Sequence, residues 1–176
     1  MIFQETPIAG LWRVLPEPRP DERGSFTRTF CAQEFAAHGL PGVFEQSSLS
    51  SNTRAGTLRG MHFQPDPHAE AKFVRCVRGA IFDVAVDLRA DSPTRGQWFG
   101  ETLSAGNGIG LYIAPGLAHG FQTLEDASDV LYQITPPYRP GLGAGVRWDD
   151  PAFGIRWPLA APFLSERDAT YPDWQA

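Results

Sequence analysis

Glycine and proline divide this chain into short segments, and within the segments the apolar residues recur mostly at every second position. There are 18 glycines and 16 prolines among 176 residues. A period of two is typical of a strand, whereas a helix would repeat at about 3.6 residues. The clearest example is the segment 81–88, where Asp83 and Asp87 lie on one face and the apolar residues on the other: Phe82, Val84, Val86 and Leu88. The pattern predicts a protein built mainly from strands.

The same alternation predicts further short strands separated by turn sequences such as Gly106-Asn107-Gly108. These strands lie at 56–64, 72–78, 97–103, 109–114, 119–124 and 129–135. Regularly spaced strands of this length indicate a sandwich, a jelly roll or a barrel. Only residues 32–38 have a helical pattern, with Gly39 placed to end the helix, and a second helical stretch is predicted near 164–169.

The size and charge of the chain narrow the class of protein. Its length suits a single domain over residues 1–176. The net charge of −5, without a block of Lys or Arg, argues against a nucleic-acid partner. No apolar run approaches the roughly 20 residues that span a bilayer, and Met1 to Gly10 lacks the pattern of a signal peptide, so we expect a cytoplasmic protein that does not bind membranes. Cys31 and Cys76 are far apart in sequence and predict buried free thiols.

Two histidine segments carry the first chemical signal. His62 lies within residues 58–64, and His119 lies within 114–121. Polar groups on neighbouring barrel strands converge on an interior cavity. The second segment has the Pro-Gly-x-x-His form of cupin jelly rolls, which often bind a metal, but Gln64 stands where such proteins carry a further histidine. A site made of His62, His119 and His68 would lack a carboxylate, so we predict an organic ligand and no metal.

Ordered motifs occur along nearly the whole chain, at 21–26, 56–64, 72–76, 82–89, 92–98, 118–121, 131–132, 148–151, 154–158 and 164–168. Together these motifs resemble those of the dTDP-4-dehydrorhamnose 3,5-epimerase family. The resemblance implies an all-β, cupin-type jelly-roll barrel with a few short helices. It also implies a homodimer that exchanges N-terminal strands, needs no cofactor, and inverts C3 and C5 of a nucleotide-linked 4-keto-6-deoxyhexose.

The family pattern also implies roles for individual residues. His62 is the base, Asp168 is its carboxylate partner, and Tyr132 is the acid that acts from the opposite face of the sugar. Lys72 lies near the C4 oxygen, where an ammonium stabilises an enolate, and His119 lines the same cavity.

The remaining site residues are expected to hold the nucleotide. Arg59 and Arg23 bind the diphosphate, with the partner subunit as one source of Arg23. Phe26 and Gln46 hold the nucleoside, and Tyr138 stacks on sugar or base. The cations able to pair with phosphates, judged from residue type alone, are Arg23, Arg59, Lys72, Arg75 and Arg167.

One geometric conflict and three departures from the family pattern qualify this prediction. In a regular strand Arg59 and His62 would face opposite sides, which requires either a bulge at Gly60 or an Arg59 that works from the rim. The departures are Arg28 in place of Glu, Ser48 in place of Asn, and Gly143 in place of an acidic residue. They fall at expected nucleotide and sugar contacts, so they bear on the substrate more than on proton transfer.

Several alternatives therefore stay open beside a 3,5-epimerase acting on a dTDP-linked sugar. One is an epimerase acting at C3 alone or at C5 alone. Others are a homologue for a CDP- or GDP-linked sugar and a ketoisomerase of the same fold. From a different class, a catalytically silent cupin that binds a nucleotide sugar and a metal-dependent cupin also remain.

Overall fold

The structure, a computed structural model, describes residues 1–175. Within that range the chain forms two short helices, α1 (Ala32–Ala37) and α2 (Glu166–Ala169), and a series of strands. The strands are β1 (Ile2–Glu5), β2 (Leu11–Leu15), β3 (Arg19–Asp21), β4 (Gly24–Phe26), β5 (Gln46–Asn52), β6 (Leu58–Phe63), β7 (Ala71–Arg78), β8 (Ala80–Asp87), β9 (Trp98–Ser104), β10 (Gly110–Ile113), β11 (Leu117–Thr123), β12 (Ser128–Thr135) and β13 (Ala144–Gly145).

Two antiparallel sheets face each other across one apolar core. The larger sheet has the order β1-β2-β10-β7-β12-β5, and the smaller has the order β13-β6-β11-β8-β9. The core between them takes Val74 and Leu111 from the first sheet and Ala85 and Phe121 from the second, all with no exposed surface. This arrangement confirms the predicted all-β class and matches the expected jelly roll.

The outer face of each sheet is covered differently. On the smaller sheet, Val84 and Val86 pack beneath the C-terminal segment, which contributes Phe153 and Trp174. On the larger sheet, α1 places Phe35 against Phe73 with ring centroids 5.0 Å apart. Because both faces of β8 are covered, its acidic residues are buried as well as its apolar ones.

The strands predicted from alternation are confirmed as β6 to β12, with ends that differ by at most two residues. Both predicted helices are present, and Gly39 follows α1 with φ of +71°. The N-terminal strands β1 to β5 and the short β13 escaped prediction. In β5, a serine-rich sequence gives no apolar alternation because one face borders a cavity and Leu49 on the other is exposed. The longer helix has six residues, and no helix in the described part of the chain is long and apolar enough to cross a membrane.

Candidate active site

A cavity of about 480 Å³ opens between the two sheets, beside the loop that follows β12. This volume lies within the usual range for small-molecule sites, roughly 300–1,000 Å³. The cavity is lined by residues from both sheets, from α2 and from residues 136–143, which we call the cavity loop. The predicted site residues that line it are Gln46, His62, Lys72, His119, Tyr132, Tyr138 and Arg167.

His62 lies on β6 in the smaller sheet and is held from behind by Asp168. Its Nε2 donates to Asp168 Oδ1 at 2.7 Å, and the His62 side chain remains 42% exposed on its other side. Burial alone would raise the pKa of Asp168, but the hydrogen bond and charge of His62, with the backbone of Gly60 and the Ser165 hydroxyl, hold that pKa below its usual range. An ionised Asp168 accepts only, so the proton on His62 Nε2 points to Asp168 and Nδ1 is the ring nitrogen left to act as a base.

A bulge in β6 resolves the conflict between Arg59 and His62. His62 pairs with His119 and Arg59 pairs with Phe121, so three steps along β6 match two steps along β11. Gly60 has φ of +148°, and a Cβ there would lie 2.5 Å from the Cα of Gly120. Only glycine fits this position. Arg59 is exposed, its Nε donates to Asn52 Oδ1 at 2.8 Å, and its charge is near enough to act on Tyr132.

Tyr132 reaches the same cavity from β12, in the opposite sheet. Its ring lies edge-on to the ring of His119, with centroids 5.6 Å apart. Burial, together with the nearby Asp83 charge, raises the pKa of Tyr132 well above its ordinary value, against a smaller opposing effect of Arg59. Tyr132 is therefore a protonated phenol at neutral pH.

His119 forms a second histidine–aspartate pair, with Asp83 on β8. The His119 Nε2 donates to Asp83 Oδ1 at 2.7 Å, and the two side chains are 3% and 0% exposed. Burial raises the pKa of Asp83, although the charge and hydrogen bond of His119 oppose that rise. Asp83 Oδ2 has no partner within residues 1–175.

Lys72 enters the cavity from β7 and is paired with Glu70. Its Nζ lies 2.9 Å from Glu70 Oε1, and both side chains are less than a tenth exposed. The other Glu70 oxygen accepts from the Gln64 amide. An ammonium fixed in this way is placed to stabilise negative charge that develops in the cavity.

Three side chains hold the cavity loop. The Tyr138 N–H donates to Gln46 Oε1 at 2.7 Å, and the Arg139 N–H donates to Gln64 Oε1 at 3.3 Å. At the far end, Arg167 Nη2 donates to the Gly143 carbonyl at 2.8 Å. The loop thus presents Tyr138 to the cavity from fixed points on β5, on the segment after β6, and on α2.

The family model for dTDP-4-dehydrorhamnose 3,5-epimerase matches residues 5–176 of this chain. The chain belongs to the dTDP-4-dehydrorhamnose 3,5-epimerase family. It is 42% identical to the dTDP-4-dehydrorhamnose 3,5-epimerase of Salmonella typhimurium, over 98% of this chain and 94% of the relative. It is equally identical to the dTDP-4-dehydrorhamnose 3-epimerase of Streptomyces niveus, over 92% of this chain and 78% of that relative.

A solved structure gives the same family relationship. The dTDP-6-deoxy-D-glucose-3,5-epimerase of Legionella pneumophila, in complex with dTDP-4-keto-L-rhamnose, superimposes with a TM-score of 0.91 and 36% identity. That match covers 98% of this chain and 92% of the Legionella chain. The jelly roll and its cavity are therefore those of an epimerase fold.

Two residues with family roles do not reach the cavity within one chain. Arg23 and Phe26 lie on the β3–β4 hairpin, which is exposed along both strands. The Arg23 side chain is 83% exposed and pairs with Asp21 at 2.6 Å, and Phe26 is 77% exposed. The hairpin is thus free to contact another molecule.

The positions that depart from the family pattern have different surroundings. Ser48 lines the cavity, and Gly143 leaves room for the Tyr138 hydroxyl and the Arg167 guanidinium, each 3.3 Å from where a Cβ would stand. Arg28 lies outside the cavity lining and pairs with Glu34 at 2.8 Å. In this chain Arg28 therefore has an acidic partner of its own.

Sequence reasoning did not identify Asp83 and Glu70 as site residues. Asp83 was placed on the polar face of its strand, and that face turns out to point between the sheets toward His119. Glu70 stands two residues before Lys72, a spacing that suits side chains on one side of an extended segment. Within residues 1–175 no group of three or more His, Cys, Asp or Glu side chains is arranged to hold a metal.

Proposed function

We propose that this protein inverts C3 and C5 of dTDP-4-dehydro-6-deoxy-D-glucose to give dTDP-4-dehydro-L-rhamnose. The observation that carries this proposal is one cavity with a paired histidine on one sheet and a protonated tyrosine on the other. Family membership supplies the substrate class. Proton removal and return neither oxidise nor reduce the sugar, so the reaction requires no cofactor.

The first step is removal of a proton next to the C4 ketone. The ketone acidifies the protons at C3 and C5, and His62 Nδ1 takes one of them while the C–H electrons move into an enolate. The imidazolium that results is stabilised by the ionised Asp168 at 2.7 Å. Charge that develops on O4 is stabilised by the Lys72 ammonium, and His119 lines the same part of the cavity.

The second step returns a proton to the opposite face of the same carbon. Tyr132 donates from the other sheet, which places the new C–H bond on the face away from His62. Inversion follows because base and acid belong to opposite walls. Before the second carbon reacts, His62 gives its proton to solvent and Tyr132 takes one up, and the same pair then acts after the sugar has turned in the cavity.

The nucleotide is assigned to the cavity mouth. Arg59 is exposed near Tyr132 and carries a guanidinium suited to a diphosphate, while Arg167 lines the cavity beside the loop. Gln46 and Tyr138 lie on the same side and would contact the nucleoside. The nucleotide diphosphate is charged, which supports a cytoplasmic site of action.

We also propose a homodimer in which the β3–β4 hairpin of each subunit carries Arg23 and Phe26 to the partner's cavity. The exposed hairpin supports this assignment, as does the exposed apolar surface of the larger sheet at Leu49 and Val77. Sedimentation of wild type and of Leu49→Glu tests the assembly. A wild-type monomer at micromolar concentration would contradict the dimer.

Deuterium exchange is the test of the reaction. Incubation of the protein with the 4-keto sugar nucleotide in deuterated water should label C3 and C5, as read by NMR. No label with any nucleotide sugar would overturn the proposal. A thermal-shift comparison of dTDP, CDP, GDP and UDP tests the carrier, since the preferred nucleotide stabilises the folded state most.

A second candidate is an epimerase that acts at C3 alone. The observation in its favour is that the Streptomyces niveus 3-epimerase is as similar to this chain as the Salmonella 3,5-epimerase is. Label at C3 without label at C5 would select this candidate.

A metal-dependent reaction would instead require stoichiometric metal in the purified protein and loss of activity with chelators.

A further inference from the structure

Glu70 is a buried acid that has no free oxygen to offer a substrate. Its side chain is 5% exposed, its Oε1 is paired with Lys72 Nζ at 2.9 Å, and its Oε2 accepts from the Gln64 amide. Both partners line the cavity. Glu70 lines the cavity as well, but both of its oxygens are already paired, so we expect it to act on the site through Lys72 and Gln64.

Gln64 carries this contact on to the cavity loop. Its amide nitrogen donates to Glu70, and its Oε1 accepts the Arg139 N–H at 3.3 Å. Arg139 follows Tyr138, the residue by which the loop enters the cavity. A continuous chain of hydrogen bonds thus joins the Lys72 ammonium to the backbone of the loop.

Stability is a weak reason for this arrangement. A buried ion pair loses much of its Coulomb gain to desolvation and is often no more stabilising than apolar residues of similar volume. The pair of Arg13 and Glu101 shows how another strand ion pair is built here, at 2.5 Å and away from the cavity, with both side chains more than a fifth exposed. The buried position of Glu70 instead matches a need to orient a charge within the cavity.

We propose that Glu70 is a positioning residue with two separable effects. Its charge fixes the Lys72 ammonium where the enolate forms, and its hydrogen bond to Gln64 fixes the loop that carries Tyr138. This inference rests on the proposed epimerase function. The first effect belongs to the chemical step, and the second belongs to substrate binding.

Two variants separate these effects. Glu70→Gln keeps the shape and can still accept from Gln64, but it removes the charge beside Lys72. Its kcat should fall about tenfold with KM unchanged, a part of the roughly 100-fold or more that is lost with a whole stabilising group. Gln64→Ala should instead raise KM about threefold with kcat nearly unchanged, as expected for one lost hydrogen bond.

Hydrogen exchange measures the loop directly. Deuterium uptake by a peptide covering residues 135–143 should rise in Gln64→Ala and in Glu70→Ala, and stay at the wild-type level in Glu70→Gln. Glu101→Gln is the matched control, because it removes an ion-paired acid outside the cavity, and it should leave kcat, KM and loop uptake unchanged.

Particular results would overturn the inference. A Glu70→Gln variant with the kcat of Glu101→Gln would remove the role of the charge, and wild-type uptake in Gln64→Ala would remove the link to the loop. Failure of the proposed function is distinguishable, since it would appear as a wild-type protein that labels neither C3 nor C5. The hydrogen-exchange arm needs no substrate and would still test the link.

Discussion

The two histidine–aspartate pairs of the cavity have the same geometry and opposite surroundings. In each pair the histidine Nε2 donates to an aspartate Oδ1 at 2.7 Å. The His62 side chain is 42% exposed, whereas that of His119 is 3% exposed. His62 thus has a free side that faces incoming substrate, and His119 is packed against Tyr132 and Phe121.

The carboxylates differ as much as the histidines. Burial would raise the pKa of Asp168, but the hydrogen bond and charge of His62, with smaller effects of the Gly60 backbone and Ser165, keep that pKa low. Asp83 is fully buried with one oxygen unpartnered in the described chain, and burial raises its pKa. An ionised partner suits a base that must become positively charged, so the same pair of residue types takes different roles in the two places.

The largest expected effect is the loss of activity when His62, the more exposed histidine of the two pairs, is removed. His62→Ala removes the proposed base, and exchange at C3 and C5 should fall about 1,000-fold, within the range for loss of a general base. Solvent deuterium exchange followed by NMR measures it. His68→Ala, outside the cavity lining, is the control and should match the wild type. Exchange within tenfold of wild type in His62→Ala would remove His62 from its role.

Tyr132→Phe tests the wall opposite the sheet that carries His62 and His119. Without the hydroxyl, delivery of a proton to the opposite face is lost, so product formation should fall about 100-fold. Proton abstraction by His62 should be less affected. The measurement compares the rate of deuterium entry with the rate of product formation in the same sample. Equal losses in both rates would mean that Tyr132 does not act as the acid.

His119→Ala compares how much each histidine–aspartate pair contributes to the stability of the fold, independently of activity. It leaves Asp83 buried without its partner, which should lower the free energy of unfolding by about 2 kcal/mol. His62→Ala should cost less than about 1 kcal/mol, because that histidine is partly exposed and Asp168, although buried, keeps its interactions with the Gly60 backbone and Ser165. Urea unfolding of both variants measures the difference. A larger loss for His62→Ala would reverse the comparison.

The smallest expected effect is an opposite pH dependence of the two carboxylates. The lowered pKa of Asp168 gives stability that is present above the unfolded value of about 3.9 and is lost as pH falls through the folded value. The raised pKa of Asp83 gives stability that is present below about 3.9 and is lost as pH rises through the folded value.

Unfolding free energies of Asp168→Asn and Asp83→Asn, measured against wild type from acid to neutral pH, should therefore diverge in opposite directions. His119 and Lys72 bear on the result for Asp83, and His62 bears on that for Asp168. Parallel curves for the two variants would show that the two carboxylates share one environment.

Much of the fold follows from local patterns, and the misses have physical causes. Strands β6 to β12 alternate because each has at least one face against a core. Every residue of strands β3 and β4 is exposed, and β5 is serine-rich with Leu49 as its one apolar residue. None of these strands therefore shows the alternation of apolar and polar residues that predicts a strand. The helix α1 was predictable because Gly39 ends it. In the folded chain Phe35 is its one buried residue.

The candidate site, like the fold, was predicted only in part. His62, Lys72, His119 and Tyr132 were predicted together, and the structure brings them to one cavity. Asp83 and Glu70 were missed because the sequence shows an acidic residue on a strand without showing what packs over it. The bulge at Gly60 was foreseen as one of two possibilities, and only the pairing of β6 with β11 selected it.

The sequence by itself determined the strand-rich architecture and the family, and it supplied the residues that we propose for the reaction, because periodicity and motifs are local properties of the chain. Only the tertiary structure decided which histidine faces open space and which is enclosed. It also decided which aspartate has a lowered pKa, which has a raised one, and which buried acid holds Lys72. Exposure and pKa depend on neighbours that are distant in sequence, so two pairs with the same residue types became distinguishable only after the sheets were packed.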